Sequence, residues 1–304
     1  MSADFRTIAI IGLGLIGSSI ARAARETVPG VALRGFDADP EIRRRARELD
    51  FLDSIPDDAG SAVAGADLVI LCVPVGAMGS AARSIAEALE PNAIVTDVGS
   101  SKAAVTHELR AALPNAIIVP GHPIAGTENS GPEAGFAALF RGRWCILTPE
   151  QDAPADAVER LSRFWAALGA KVEAMAAHQH DLTLAVTSHL PHLIAFTIVG
   201  TASELENVTK GEVIKYSAGG FRDFTRIAAS NPTMWRDIFL SNKDAVLETL
   251  QRFLGDLSGL EEAIRKDDGE ALFDWFSRTR AIRRAIIDQG QDVAAADFGR
   301  GPAA

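Results

Sequence analysis

A glycine-rich turn near the start of the chain constrains the fold more than any other feature. Gly12, Gly14 and Gly17 follow the apolar run 8–11 with the spacing G-x-G-x-x-G. The first glycine allows a tight turn, the second lets a ligand approach the backbone, and the third lets a helix pack close to the strand. The segment 18–26 is predicted to be that helix, whose free N–H groups favour an anion such as pyrophosphate.

A second predicted strand, 32–36, ends on Asp37, twenty positions after Gly17. A carboxylate at this point can accept hydrogen bonds from both hydroxyls of an adenosine ribose, and it disfavours a 2′-phosphate. Because strand, turn, helix, second strand and acidic residue are all in register, the stretch predicts an NAD site. The predicted cofactor site also includes Leu15, Ile16, Val73, Pro74 and Ser100.

Composition limits the partners of this 304-residue chain. With 47% hydrophobic and 23% charged residues, it is typical of a folded protein of two domains. Its net charge of −10 disfavours a nucleic-acid surface. Cys72 and Cys145 lie in separate apolar runs, as expected of buried thiols in a reducing compartment. We find no signal peptide and no apolar run of the ~18 residues that a membrane helix needs, so we expect a cytoplasmic protein without a membrane partner.

The first half of the chain alternates apolar runs with segments of helical character. The predicted strands are 68–73, 93–97, 116–119, 143–147 and 171–175, and the predicted helices are 39–49, 77–89, 100–112 and 161–168. Such alternation is typical of an α/β, Rossmann-type, doubly wound parallel sheet. We therefore predict an NAD-binding domain over residues 1–175.

From about residue 177 the pattern becomes helical. One long helix is predicted over 180–206 with an interruption at Pro191. Further helices are predicted to start at 231–232, with a continuation through 242–253 left open, and to cover 257–265 and 270–288. The segment 182–202 carries so few charges that both faces must be covered, which predicts a homodimer interface. We assign 176–290 to an all-α dimerisation domain and 291–304 to a flexible tail.

Two clusters of polar residues follow predicted strands at the sheet edge where ligands bind in such folds. The first is DVGSSK at 97–102, and the second is GHPIAGTE at 121–128. We interpret the second as a Gly/Pro-rich loop. A lone histidine is more often structural, but the place of His122 near Ser100 on this edge favours a catalytic role.

Two further clusters lie in the helical half. Ser188 and His192, four positions apart, share one helix face. A metal site is the alternative interpretation of the histidines at 178–192, which we do not favour because carboxylate and cysteine partners at ligand spacing are missing. In the segment 219–237, two glycines precede a dense run of cations and hydroxyls, which fits an anion pocket better than a capping loop.

At these segments the sequence resembles the prephenate/arogenate dehydrogenases, the cyclohexadienyl dehydrogenases of tyrosine synthesis. That family carries the motifs D-V-G-S-x-K, G-H-P-x-A-G-T-E, S-H-L-P-H and G-G-F-[RK]-D-x-T-R-I-A…P…M-W-R-D-I. Here they read DVGSSK, GHPIAGTE, SHLPH and GGFRDFTRIAASNPTMWRDI, and the resemblance extends from residue 8 to about residue 288. It implies NAD-dependent oxidative decarboxylation of prephenate or arogenate by a homodimer, giving 4-hydroxyphenylpyruvate or tyrosine.

The resemblance also implies roles for single residues. His122 corresponds to the base that acts on the 4-hydroxyl of the substrate, and Ser100 to its hydrogen-bonding partner. Arg226 corresponds to the clamp on a substrate carboxylate, for which a planar guanidinium is suited. The other residues of the predicted substrate site are Thr127, Ser188, His192 and His180, with Glu128, Asp223 and Trp235 as supports.

Two alternatives stay open. A β-hydroxyacid dehydrogenase shares the two-domain plan but needs a catalytic lysine on the long helix, and 182–202 contains none. A nucleotide sensor without enzyme activity would keep the glycine turn yet would not need His122, Ser100 and Arg226 together.

Overall fold

The computed structural model describes residues 4–127, 129–209 and 219–286. The chain divides into two compact units, Met1–Leu247 and Glu248–Ala304. The boundaries predicted at 175 and 290 stay predictions. The predicted tail 291–304 and Glu128 lie outside the described residues.

A five-stranded parallel sheet with the order β2-β1-β3-β4-β5 forms the centre of the larger unit. Its strands are β1 Thr7–Ile11, β2 Ala32–Phe36, β3 Leu68–Leu71, β4 Ile94–Asp97 and β5 Ile117–Ile118. All four residues of β3 are buried, which explains why this strand is a continuous apolar run in the sequence. Leu71 pairs with Ile11 on one side and Asp97 on the other, so β1, β3 and β4 end at one edge.

Helices connect these strands as predicted for a Rossmann-type fold, which confirms the fold class. They are α1 Leu15–Thr27, α2 Pro40–Glu48, α3 Ala59–Val63, α4 Met78–Ile85 and α5 Ala103–Ala112, and a further helix, α6 Ala155–Ala167, follows later in the chain. The side chain of Asp39 caps α2 by accepting the N–H of Glu41, and Pro40 occupies the first turn, where its missing N–H costs nothing.

A second, three-stranded sheet was not anticipated. It consists of β6 Gly121–Pro123, β7 Trp144–Leu147 and β8 Lys171–Ala174, with β6 antiparallel to β7. The prediction of a loop at 121–123 is wrong, because His122 pairs with Ile146 in this sheet. Three residues are too few to show an alternating pattern, so the sequence carries no strand signal there.

The helical elements after β8 are α7 Ala177–Leu184, α8 Leu190–Thr209, α9 Gly219–Thr225, α10 Pro232–Ser241, α11 Lys243–Arg265 and α12 Gly269–Ile286. The predicted interruption at Pro191 is wrong, since a π-helical segment, Ala185–His189, joins α7 to α8 and the helix continues through the proline. A proline offers no N–H to the carbonyl four residues before it, and the wider π turn accommodates that loss. Asn242 separates α10 from α11.

The helical segment Ala177–Leu205 corrects another expectation. By length and composition alone it could cross a membrane, with a mean hydropathy of 1.6 over its most apolar window, of which 28% is buried. That expectation missed this segment because Thr, Ser and His residues interrupt the apolar pattern at 187–192. Val186 and Leu205 are 52% and 51% exposed, so this segment has apolar side chains at its surface in the part of the chain that the structure describes.

Candidate active site

Two of the three glycines in the first turn are required by backbone geometry. Gly12 has a φ of +102°, and a Cβ at this position would lie 2.4 Å from the carbonyl oxygen of Cys72. A Cβ on Gly17 would lie 2.0 Å from the carbonyl oxygen of Gly12. A side chain at either position would therefore push β1 and β3 or β1 and α1 apart.

The same turn fits a dinucleotide. Gly14 precedes α1, and among the described residues no atom lies within 4 Å of the place where its Cβ would be. The N-cap residue gives no side-chain hydrogen bond to α1, which leaves the first N–H groups of the helix for a ligand such as pyrophosphate. At the end of β2, the carboxylate of Asp37 is held by the N–H groups of Leu13 at 2.8 Å and Asp39 at 3.0 Å. This arrangement offers a pyrophosphate site and a ribose acceptor on neighbouring elements.

Arginines close to Asp37 are occupied by carboxylates. Arg43 lies 3.5 Å from Asp57, and its guanidinium also donates to the carbonyl of Asp37 at 2.7 Å. The other ion pairs of α2 among the described residues are Arg44 with Glu41 and Glu48, Arg45 with Glu133 and Arg47 with Asp57. Arg34 of β2 donates to the carbonyl of Ala64 at 2.6 Å. The cations that could attract a 2′-phosphate are thus already partnered.

His122 begins a chain of buried polar side chains beside the end of β4. Its Nδ1 lies 2.8 Å from Nε2 of His180, and Nδ1 of His180 lies 2.8 Å from a carboxylate oxygen of Asp181. His122 is 9% exposed, and its Nε2 has no hydrogen bond to any residue that the structure describes. Burial, followed by the neighbouring His180 and Lys102, lowers the pKa of His122 well below its ordinary value of 6.5. The imidazole is therefore neutral at neutral pH, as a general base must be.

The position of His180 differs from its predicted position in the substrate site. The side chain is fully buried, and both ring nitrogens are engaged, by His122 and Asp181. It lies behind His122 and has no nitrogen left to offer a substrate. Ser100 is half-buried after β4, and within the described chain it has no hydrogen bond to His122, so its predicted partnership stays a prediction.

A buried ion pair fixes the backbone beside His122. Lys102 and Asp97 are both fully buried, and Lys102 Nζ also donates to the carbonyl of Gly121 at 2.7 Å. Sequence reasoning placed these two residues in a motif but assigned them no role. It missed Asp181 altogether, whose one available signal was its position next to His180.

On the helical side, Arg226, His192 and Trp235 lie together. His192 stacks on Trp235 with ring centroids 3.7 Å apart, and its Nδ1 donates to the carbonyl of Ser188 at 2.8 Å. This bond confirms that Ser188 and His192 lie on one side of the helix. Burial lowers the pKa of His192, and the charge of Arg226 lowers it further. Arg226 is exposed and forms no ion pair with a described residue.

The remaining predicted residues form no hydrogen bond with His122 in the part of the chain that the structure describes. Asp223 is half-buried in α9. Thr127 is exposed, and its hydroxyl accepts the N–H of Asn129 at 3.2 Å. Glu128 is not described. Among the described residues, no group of three or more His, Cys, Asp or Glu side chains could hold a metal ion.

The fold and the site agree with comparisons to known proteins. Residues 20–174 match the family described as the nucleotide-binding domain of prephenate dehydrogenase, and residues 176–278 match its dimerization domain. A cyclohexadienyl dehydrogenase of Zymomonas mobilis is 47% identical over 282 residues, covering 93% of this chain and 96% of the relative. A prephenate dehydrogenase of Bacillus subtilis is 36% identical over 282 residues, covering 92% of this chain and 76% of the relative.

A solved structure is also similar over almost the whole chain. The crystal structure of prephenate dehydrogenase from Aquifex aeolicus, in complex with hydroxyphenyl propionate and NAD+, has a TM-score of 0.88 and 34% identity. The match covers 94% of this chain and 100% of that chain. An arogenate dehydrogenase of Synechocystis matches with a TM-score of 0.79 and 26% identity, covering 92% of this chain and 99% of that chain. Sequence, fold and site together show that this chain belongs to the prephenate dehydrogenase family.

Proposed function

We propose that this chain catalyses the NAD+-dependent oxidative decarboxylation of prephenate, arogenate or both, giving 4-hydroxyphenylpyruvate or tyrosine. The observation that carries this proposal is a buried, neutral His122 beside the end of β4, on the edge that also carries the glycine turn. The relatives named above, one a cyclohexadienyl dehydrogenase and one solved with NAD+, support the cofactor and the substrate class.

The substrate is a cyclohexadiene with a hydroxyl at C4 and a carboxylate at C1. When bound, NAD+ supplies the acceptor for the hydride that leaves C4. His122 accepts the hydroxyl proton as the C4 oxygen becomes a carbonyl. The electron pair of the bond to the departing carbon dioxide enters the ring, which becomes aromatic as the carbonyl oxygen regains a proton. The planar guanidinium of Arg226 binds a substrate carboxylate, and His192 is part of the same substrate site.

We further propose that the protein is a homodimer in the cytoplasm, formed through its helical half. Within the smaller unit, apolar side chains on α11 and α12 are exposed, including Phe273 at 70% and Ile264 at 64%. Surface ion pairs such as Arg252–Glu248 and Arg265–Glu261 lie on the same α11. A helix that mixes apolar and charged positions in this way favours a partner subunit over lipid as its cover.

A substrate panel tests the proposed reaction. The purified chain is incubated with NAD+ and, separately, prephenate, arogenate and 3-hydroxyisobutyrate, and NADH absorbance and products are followed. We expect NADH together with 4-hydroxyphenylpyruvate or tyrosine from at least one cyclohexadiene, and no NADH from 3-hydroxyisobutyrate. Turnover of 3-hydroxyisobutyrate alone would favour the β-hydroxyacid alternative, and NAD+ binding without any turnover would favour a sensor.

A further inference from the structure

We infer that Asp181 and His180 form a relay that keeps the proton of neutral His122 on Nδ1, so that Nε2 is free to act as the base. Asp181 is thus a positioning residue for the reaction, although it lies two side chains away from the substrate. The catalytic consequence rests on the function proposed above, whereas the position of the proton can be measured without substrate.

Asp181 must be a carboxylate. It is 5% exposed, yet one oxygen accepts the backbone N–H of Lys102 at 2.7 Å and the other accepts the N–H of Ala103 at 2.9 Å. Backbone N–H groups can only donate, so both oxygens act as acceptors. Burial raises the pKa of Asp181, but the hydrogen bonds from His180, Ala103 and Lys102 outweigh it and bring the pKa below its ordinary value of 3.8.

The protons of both histidines follow from that charge. An ionised carboxylate offers no proton, so Nδ1 of His180, at 2.8 Å, must carry the hydrogen of their bond. Burial and the charge of Lys102 lower the pKa of His180 although Asp181 raises it, so the ring is neutral and its Nε2 holds a lone pair. That lone pair can only accept from Nδ1–H of His122, at 2.8 Å. Neutral His122 then has no proton on Nε2.

The relay is anchored at both ends. Through the bonds to Lys102 and Ala103, Asp181 caps the N-terminus of α5, whose backbone lies 78 and 79 positions away in sequence. The side chain of Asn242 donates to the backbone carbonyl of Asp181 at 2.8 Å. At the other end, Lys102 holds the carbonyl of Gly121, next to His122. Rotation of the His122 or His180 ring would break the bond between the two rings or the bond from His180 to Asp181. The relay therefore fixes both the orientation of His122 and its tautomer.

Two substitutions at His180 separate the relay from the cap on α5, because both leave Asp181 in place. His180→Leu removes the acceptor for Nδ1–H of His122. His180→Gln keeps an acceptor, since the amide oxygen of glutamine can reach the position of the imidazole Nε2. We expect kcat with the better cyclohexadiene to fall by about 10²-fold or more in His180→Leu, toward the full contribution of a base, and by less than about tenfold in His180→Gln. KM and NAD+ affinity should change little in both.

The tautomer itself is read from the side-chain ¹⁵N spectrum of the NAD+-bound protein at neutral pH. In the wild type, the His122 signals should show a protonated Nδ1 and an unprotonated Nε2, and in Asp181→Ala the population should move to the opposite tautomer. Asp39→Ala, which removes a helix cap from α2 without touching a histidine, is the matched control and should leave the His122 signals unchanged.

Two results would overturn the relay: a wild-type His122 protonated on Nε2, or equal kcat values for His180→Leu and the wild type. If instead the wild type turns over neither prephenate nor arogenate, the proposed function fails, while the ¹⁵N spectrum still decides the relay.

Discussion

At the scale of single residues, His122 owes its neutral state chiefly to burial. Desolvation penalises the imidazolium, and the nearby Lys102 and His180 add to the effect, so the pKa lies well below 6.5. Because the folded-state pKa is lowered, the basic form persists as pH falls below the ordinary range of histidine. The enzyme should therefore keep its base at slightly acidic pH.

Replacing His122 by Asn should lower kcat by about 10²–10⁴-fold, the usual contribution of a positioned base, and leave the melting temperature and NAD+ affinity nearly unchanged. In the wild type, kcat/KM should stay level from neutral pH down through about 6.5 and decrease only at lower pH. A loss of less than tenfold in His122→Asn, or a wild-type profile that already declines at pH 7, would contradict this assignment.

Arg226 should hold the substrate carboxylate. Its charge reaches His192, which stacks on Trp235, whereas no such effect links Arg222 to the site. A hydrogen bond to a charged group contributes about 1.5–3 kcal/mol. Arg226→Ala should thus raise KM for the substrate by about tenfold or more, at ~1.4 kcal/mol per decade. Arg222→Ala is the control. A similar or larger increase in KM in that variant would show that Arg226 is not the residue that binds the carboxylate.

The sequence could identify His122 and Arg226 because each lies in a local motif. It could not show that His180 contacts His122, since these residues are 58 positions apart and meet only after α7 packs beside the second sheet. The position of Asp181 next to His180 likewise could not show that its partners are backbone N–H groups of a helix far away in the chain.

At the scale of elements, the corner formed by β1, β2, α1 and α2 decides the choice of cofactor. The carboxylate of Asp37 lies at the end of β2, where it can accept hydrogen bonds from ribose hydroxyls, and the arginines of α2 are paired with carboxylates. We expect kcat/KM for NAD+ to exceed that for NADP+ by roughly tenfold or more, the equivalent of about 1.4 kcal/mol.

Asp37→Asn should lower the ratio of kcat/KM for NAD+ to kcat/KM for NADP+. The amide keeps a hydrogen-bond acceptor, whereas the repulsion of a 2′-phosphate is lost. Glu87→Gln, at an exposed carboxylate that forms no ion pair with a described residue, is the matched control. Equal kcat/KM values for the two cofactors in the wild type would show that Asp37 does not select between them.

Most elements of the larger unit could be predicted, and the exceptions have identifiable causes. β2 was predicted with its observed bounds because a short apolar strand ends at an acidic residue. β6 was missed because its pairing partner, β7, lies more than twenty residues further along the chain. At Pro191 the π-helical segment compensates locally for the missing N–H, and a propensity rule for proline does not include that compensation.

For the whole molecule, the exposed apolar side chains on the helices favour association with a second subunit. We expect light scattering at micromolar concentration to report a homodimer. Phe273→Glu, at a side chain that is 70% exposed, should shift the protein toward monomer because it places a charge in the apolar surface. Trp144→Gln, at an exposed aromatic side chain of the second sheet, should leave the dimer intact. A stable wild-type monomer would contradict the proposed assembly.

We expect one site of this protein to couple oxidation at C4 of the substrate to decarboxylation at C1. The most direct measurement follows NADH and carbon dioxide together in a single reaction of the purified chain with NAD+ and prephenate or arogenate. We expect one carbon dioxide per NADH throughout the time course, with both lowered to the same extent in His122→Asn. Formation of NADH without carbon dioxide would contradict the coupled reaction. Wild-type rates of both products in His122→Asn would contradict the role of His122 as the base.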